Sequence, residues 1–456
     1  MNALIIFILS LLVVVFLKHL SNKCNKISID IVLKAFAVLL CISGIVRYFL
    51  SDSFVETVTN FEDPLQSFLH WAYYIGYAVL PMSVFFDSRL FRNIASYFSL
   101  PVNILAVIFY ENTFSYFTAS GAGGYYINPH IRHLLYTVEL VLAIVIPILM
   151  QLHYKHVINV KNPKEIMFAL GMIPLIMIQM MPSYIPNTLF GDLGFSAKMF
   201  GNLHLLWICC LIGETVLLHF IFRNRSQKDK FTFIAFMVIA QIMHTMSPFL
   251  RGFAYSRLPL QLCNIAAFFY LYTIIKKDKR TFDFCYIANL VGAAIAITLF
   301  TFTDDVGALT FWPMHYVYEH SFVVMVPILC STLGVFSRLD KSAFKNMMRI
   351  FVVYFVLVFV FGTIINGTDS TPGVYPVNHF YMFNPKVAVD YIPFAGFTSL
   401  IHWQFGEFEI YPILVVTIFI IFTALNLAFL GITLLGYKII DKFKAKKNPK
   451  PNMITV

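Results

Sequence analysis

Long apolar runs dominate this sequence, and their length decides what the chain can fold into. A helix needs roughly 20 apolar residues to cross a bilayer, and about thirteen runs near that length recur along the chain. They cover residues 3–17, 30–50, 66–86, 92–111, 132–153, 165–184, 202–222, 231–250, 257–275, 281–302, 314–337, 346–366 and 410–437. Together they use well over half of the 456 residues, and no soluble domain is left over. With 59% hydrophobic residues, 12% charged ones and 49 Phe, there is more apolar side chain than ordinary cores hide. In lipid every backbone polar group must be paired within its own segment, which leaves helices for such runs. The expectation is an all-α polytopic membrane protein of about 13 transmembrane helices. The first run follows Met1-Asn2 with neither a positive n-region nor a small-residue cleavage site, so it reads as a retained helix.

Charge orients these helices. A net charge of +10 could suggest nucleic acid, but the basic residues form short clusters between apolar runs and no basic face, so no nucleic-acid partner is expected. Lys18, Lys23 and Lys26 are followed by an acidic loop with Glu56 and Asp63, then by Arg89 and Arg92, and the alternation continues through Arg225, Lys277 and Lys341 to the tail from Lys438 to Lys450. Every second loop is basic, which places the N-terminus outside and the C-terminal tail in the cytoplasm of a multi-pass cell-membrane protein. Glu56, Asp304 and Asp390 would then be outside. The seven cysteines lie mostly inside apolar runs without C-x-x-C or Cys/His metal spacing, so neither a disulfide framework, a metal nor a cofactor is expected.

The two halves resemble each other. Leu80-Pro81, Pro129, Glu139 and Pro147 recur as Leu258-Pro259, Pro313, Glu319 and Pro327, with "IPILM" echoed by "VPILC". Each half would hold six helices in the same orientation, as in parallel transporter repeats, with one helix added at the end. Residues 1–198 are read as an N-terminal six-helix repeat, degenerate and non-catalytic, and 199–456 as a seven-helix catalytic repeat with a basic tail.

The residues that could carry chemistry sit in the second half. Cys263 lies six residues below Arg257 and His320 seven below Pro313, which puts both roughly 9 to 10 Å beneath the expected outer ends of their helices. An imidazole beside a thiol can make the thiolate a nucleophile. Taken singly, a membrane Cys is a common small apolar filler, and an intramembrane His often only bonds a neighbouring helix. Ionisable groups in lipid are nonetheless costly and tend to mark function, and this layer also gathers His244, Arg251 and Glu319, with Asp304 and Asp305 above. Counted from the shared prolines, Cys263 maps onto Phe85 and His320 onto Leu140, so the first half lacks both reacting groups. Cys209 and Cys210 are alternative thiols, but no His lies at a similar spacing from them.

At these positions the chain resembles the YwaF-like integral membrane proteins, a family with an animal relative, transmembrane protein 164. The resemblance covers about residues 200–437 and rests on Pro259-x-x-x-Cys263, a His 57 residues later before "VPIL" (His320, Pro327), and the element "NHFYMFNPK" from Asn378 to Lys386. Bacterial members commonly carry a His two residues before the Cys, where this chain has Gln261, and Asn366 to Val377 looks like an insertion. The resemblance implies an acyltransferase that moves fatty acyl chains between glycerophospholipids, with Cys263 as nucleophile and His320 as its partner. His320 would act as general base and then assist the second transfer.

The expected reaction takes an acyl chain from a membrane phospholipid, holds it as a thioester and passes it to a lipid or lipoprotein acceptor at the extracytoplasmic leaflet. His244, Arg251, Arg257, Asn264, Glu319, Asn378 and Tyr381 are candidate substrate-binding residues. Two other classes stay open: a secondary transporter or flippase built on the parallel repeats, against which the loss of polar groups from the first half argues, and a lipid hydrolase using the same pair. Weaker features are the acceptor-like Asn366-Gly367-Thr368, read as unused in a bacterial chain rich in Phe, Ile and Lys; the Gly-rich Ala119–Pro129, read as an outer loop; and "HWQFGEFEIYP", His402 to Pro412, read as an interfacial aromatic belt.

Overall fold

A computed structural model describes residues 2–23, 28–50, 64–117, 129–154, 163–191, 200–251, 254–298, 307–369, 377–385, 394–405 and 408–447. Glu56, Asp304, Asp305, Asp390, Cys24, most of the Gly-rich loop and the end of the tail lie outside the described residues. The fold is helical: α1 Asn2–Lys23, α2 Ile29–Leu50, α3 Pro64–Tyr74, α4 Gly76–Phe85, α5 Arg89–Ile94, α6 Leu100–Ile108, α7 Tyr110–Phe117, α8 Pro129–Tyr154, α9 Pro163–Gln179, α10 Ile185–Phe190, α11 Asn202–Phe222 and α12 Gln227–Met246. Then come α13 Leu262–Lys276, α14 Lys279–Phe284, α15 Leu290–Thr298, α16 Phe311–Thr332, α17 Ala343–Asp369, the short α18 Ala395–Thr398 and α19 Pro412–Lys447. A two-stranded antiparallel hairpin, β1 Trp403–Phe405 with β2 Phe408–Ile410, pairs Gln404 with Glu409 inside the "HWQFGEFEIYP" stretch.

Among the described residues nine helices are long and apolar enough to cross a membrane, and the chain is an all-α multi-pass membrane protein. The other four expected spans are also helical. Residues 64–85 divide into α3 and α4, α9 and α13 are short at 17 and 15 residues, and α16 has 22 but carries a polar upper half.

The chain forms two compact units, Met1–Phe253 with Phe300–Phe322, and Ala254–Leu299 with Val323–Val456. In the first, α2 packs along α8, and the ring of Tyr77 on α4 lies so close to Gly44 that a Cβ there would meet its Cε1 at 2.4 Å. This approach lets the Tyr77 hydroxyl donate to buried Glu139 on α8 at 2.5 Å. Nearby, His70 and the Tyr184 hydroxyl are 2.6 Å apart, Trp71 Nε1 donates to the Met177 carbonyl at 2.8 Å, and Gln179 Nε2 donates to Glu214 at 3.0 Å. The first half is therefore richer in buried polar groups than a count of its Cys and His equivalents foretells. In the turn before α5, Lys228 bonds Asp87 and, with Arg92 beside it, holds that carboxyl below its usual range.

Both units contain a helix interrupted by a π-helical turn with the same proportions. Six residues of α5 and the five in Ala95–Ser99 that lead into α6 match six of α14 and the five in Cys285–Asn289 that lead into α15. In the second unit α14 packs on α17, and the Tyr270 hydroxyl on α13 reaches the Cys285 carbonyl of the π-turn and the Val323 carbonyl of α16, each at 3.3 Å.

Phe85, the counterpart of Cys263, is 47% exposed, because it is the last residue of α4, where the chain turns to extended geometry at Phe86; Leu140 is fully buried. The side chain of Asn366, read from sequence as an unused acceptor, is fully buried, with Nδ2 donating to the Val377 carbonyl at 3.0 Å and Oδ1 accepting from the Val377 amide at 3.1 Å.

Candidate active site

The expected matching depth of Cys263 and His320 does not hold along their helices. Pro259 disfavours helical geometry in the residue before it, and Leu258 is accordingly extended, with φ −57° and ψ 134°. Gln261 is still extended and caps α13, so the helix starts at Leu262 and Cys263 is its second residue, about 2 Å from the start. His320 is the tenth residue of α16, about 14 Å from its start. Cys263 belongs to the second unit and His320 to the first, and each neighbourhood is built from its own neighbours.

Around Cys263, the first intrahelical bond runs from the Ile265 amide to the Gln261 carbonyl, so the amides of Leu262, Cys263 and Asn264 precede the ladder at the positive end of the helix. Such a position favours negative charge on sulfur and on an oxygen bound beside it. The half-buried thiol donates to Asn264 Oδ1 at 3.3 Å. The turn ahead is fixed from α17, where the Tyr354 hydroxyl donates to the Leu260 carbonyl at 2.6 Å. Gln261 Oε1 accepts from the Phe380 amide at 3.2 Å, tying the "NHFYMFN" segment to the start of α13.

That segment is held in unusual geometry. Phe380 and Tyr381 both have φ of 58°, a left-handed conformation that costs a non-glycine residue about 1 to 2 kcal/mol. Asn378 Oδ1 offsets this by accepting from the Phe383 and Asn384 amides, both at 3.0 Å, and the Phe383 ring lies against Gly362, where a Cβ would meet it at 2.3 Å. Asn378 thus shapes the loop, Tyr381 is 37% exposed, Arg257 is half-buried at the end of a short 3-10 turn, and Arg251 ends another, Ser247–Arg251.

Around His320 the upper half of α16 is polar. His320 is buried, and its Nδ1 lies 2.8 Å from the Tyr316 carbonyl one turn above. A carbonyl only accepts, so Nδ1 carries the hydrogen and the neutral ring keeps its lone pair on Nε2. That is the tautomer a proton acceptor needs. The Tyr316 ring packs on the imidazole at 4.0 Å, and Trp207 Nε1 donates to Ser321 at 2.9 Å. Glu319 points elsewhere, accepting from Thr245 at 3.2 Å and lying 3.5 Å from His315 Nε2. His244 stacks on Tyr318 at 4.6 Å, and its Nε2 donates to the Gln179 carbonyl at 2.8 Å. His244, Glu319 and His320 therefore share one polar layer. Sequence reasoning missed two of its members, Thr245 and His315, although the i, i+4 spacing of His315 and Glu319 signals a shared helix face.

Cys209 and Cys210 are both exposed on α11, Cys285 and Cys330 are buried, and no group of three potential metal ligands occurs among the described residues. The profile of the TMEM164 family matches residues 199–427, half of the chain, including Cys263, His320 and the loop at Asn378. The chain belongs to the TMEM164 family. In this member of the TMEM164 family the match starts just before α11 and ends inside α19. No curated protein and no solved structure matches the chain.

Proposed function

We propose that this TMEM164-family protein is a membrane-embedded acyltransferase. Cys263 attacks the ester carbonyl of a membrane phospholipid, the C–O bond breaks, and a lysolipid leaves from a Cys263 thioester. The acyl chain then passes to a lipid or lipoprotein acceptor at the extracytoplasmic leaflet, with the C–S bond breaking as the new acyl bond forms. His320 takes the thiol proton on Nε2 and returns it to the leaving oxygen. The observation that carries the reading is the seat of Cys263 at the second position of α13, inside the family-matched region. There the first-turn amides can bind the oxyanion of a tetrahedral intermediate. The matching six-residue helices and five-residue π-turns support the parallel duplication, read here with thirteen spans and a degenerate first repeat. The alternating loop charges support an outside N-terminus in a bacterial cell membrane.

A second reading, a transporter or flippase, draws on the buried pairs Tyr77–Glu139 and His70–Tyr184 and the half-buried pair Gln179–Glu214 in the first unit, since a polar pathway in both halves is what such a protein needs. A covalent intermediate separates the two. Purified chain incubated with vesicles carrying a labelled acyl phospholipid should acquire label at Cys263, released by neutral hydroxylamine and absent in Cys263→Ala. A Cys263→Ala protein that kept full lipid-modifying activity would sink the acyltransferase and promote the transporter. Label that ends only as free fatty acid, whatever acceptor is offered, would make the protein a hydrolase with the same pair.

A further inference from the structure

Of the histidines outside the mechanism so far, one stands apart. His379 lies in the connection between α17 and α19, is 1% exposed, and has no hydrogen-bond partner on either ring nitrogen among the described residues. A buried imidazole left in that state forfeits its bonds to water without replacing them, a cost that calls for a reason. Its position suggests one. The next residue, Phe380, donates its amide to Gln261 Oε1, and Gln261 is two residues from Cys263 in the same unit. The segment around it is strained at Phe380 and Tyr381, clamped by Asn378, and closed at its base by the two hydrogen bonds between Asn366 and Val377. Strain of this kind, held on several sides, is the usual mark of a segment that presents a functional group. Burial also pushes the imidazole down to about 4, so the ring is neutral at pH 7, with one nitrogen able to accept a proton and the other able to donate.

We propose that His379 is the proton acceptor for the second half of the reaction, receiving the proton of the protic group that attacks the Cys263 thioester. This rests on the acyltransferase reading and deepens it by dividing the two steps between two histidines. The acceptor's hydroxyl or amine adds to the thioester carbonyl, a C–O or C–N bond forms, the C–S bond breaks, and the acceptor's proton moves to the bare nitrogen of His379. The imidazolium then returns that proton to the departing Cys263 sulfur. Thiol and neutral imidazole are both restored, and no co-reactant is needed.

The test separates the half-reactions. Full-length chain is reconstituted in phosphatidylglycerol vesicles bearing a labelled acyl chain, with lysophosphatidylglycerol as the acceptor probe, and quenched over time. His379→Ala should still form the Cys263 thioester, let it accumulate, and pass it on about 10²-fold more slowly, with free imidazole restoring part of the loss. A residue that only shapes the loop would slow both steps and show no rescue. Thioester that turns over in His379→Ala at the wild-type rate overturns the proposal, and so does loss of thioester formation from a folded variant. If His379→Ala does not fold, His379→Gln is read in the same way; failure of both to fold assigns His379 a structural role and overturns it too. Absence of any thioester in the wild-type chain removes the acyltransferase reading itself, an outcome distinct from all of these.

Discussion

Because Tyr316 holds the Nδ1 hydrogen of His320, Nε2 is the nitrogen that would take a proton in the proposed reaction. His320→Ala should lower thioester formation by about 10²-fold or more with the protein still folded, and single-turnover labelling would check it. Glu319→Gln is the control. Its carboxyl is engaged by Thr245 and His315, so thioester formation should change little; a comparable loss would move the proton acceptor into that pair. His379 also predicts a pH dependence. The unfolded residue binds a proton near pH ~6.5 and the folded one near 4, so between these values the unfolded state holds more protons. Its contribution to stability is full above about pH 6.5 and is lost as the pH falls toward 4. Thermal unfolding in detergent at several pH values should give a shallower acid slope for His379→Gln than for wild type, and equal slopes would show that the imidazole is not buried in its neutral form. Cys263 and His320 could be singled out in the sequence because thiol and imidazole are rare in lipid and cost free energy there. His379 could not, because its isolation depends on two left-handed residues after it, and Phe and Tyr give no local sign of that geometry.

At the scale of elements, α13 and its loop behave as one assembly. Gly362→Ala would force the Phe383 ring off α17, and since the Phe383 amide is bound by Asn378, the displacement should reach the loop. A cost of about 1 to 3 kcal/mol is expected, with faster hydrogen exchange at the Phe383 and Asn384 amides. Unchanged exchange would mean that the ring and the loop are independent. The apolar runs made the helices legible, and nine of the expected spans are helices long and apolar enough to cross a membrane among the described residues. Their ends were less legible. The start of α13 moved from 257 to 262 because Leu258 and Gln261 are extended on either side of a turn at Pro259-Leu260, a local conformational effect that hydropathy does not register, and the same shift leaves Cys263 at the second position of its helix. The counterpart positions separate for a related reason: Leu140→Ala should cost about 2 to 5 kcal/mol, whereas Phe85→Ala, at an exposed helix end, should cost about 0.5 kcal/mol or less. Unfolding of the two purified variants would check this contrast.

For the whole molecule, orientation governs which leaflet the chemistry serves. Single cysteines introduced near Lys277 and Lys341 should be protected from an impermeant reagent in intact cells, and those near Asp304 and Asp390 should react. The reverse pattern would place the transfer on the cytoplasmic side. Charge alternation carries that expectation, whereas the π-turns in α5–α6 and α14–α15 carry no such signal, since one surplus residue leaves composition and hydropathy unchanged. Each turn is a dislocation in an otherwise regular lattice: the single added residue sets the helix below it about 100° out of phase with the helix above. Deleting Ser96 or Ala288 would heal the ladder and still turn every side chain from Leu100 or Leu290 onward toward the wrong neighbour, leaving a helix with better local geometry and a worse fit to its unit.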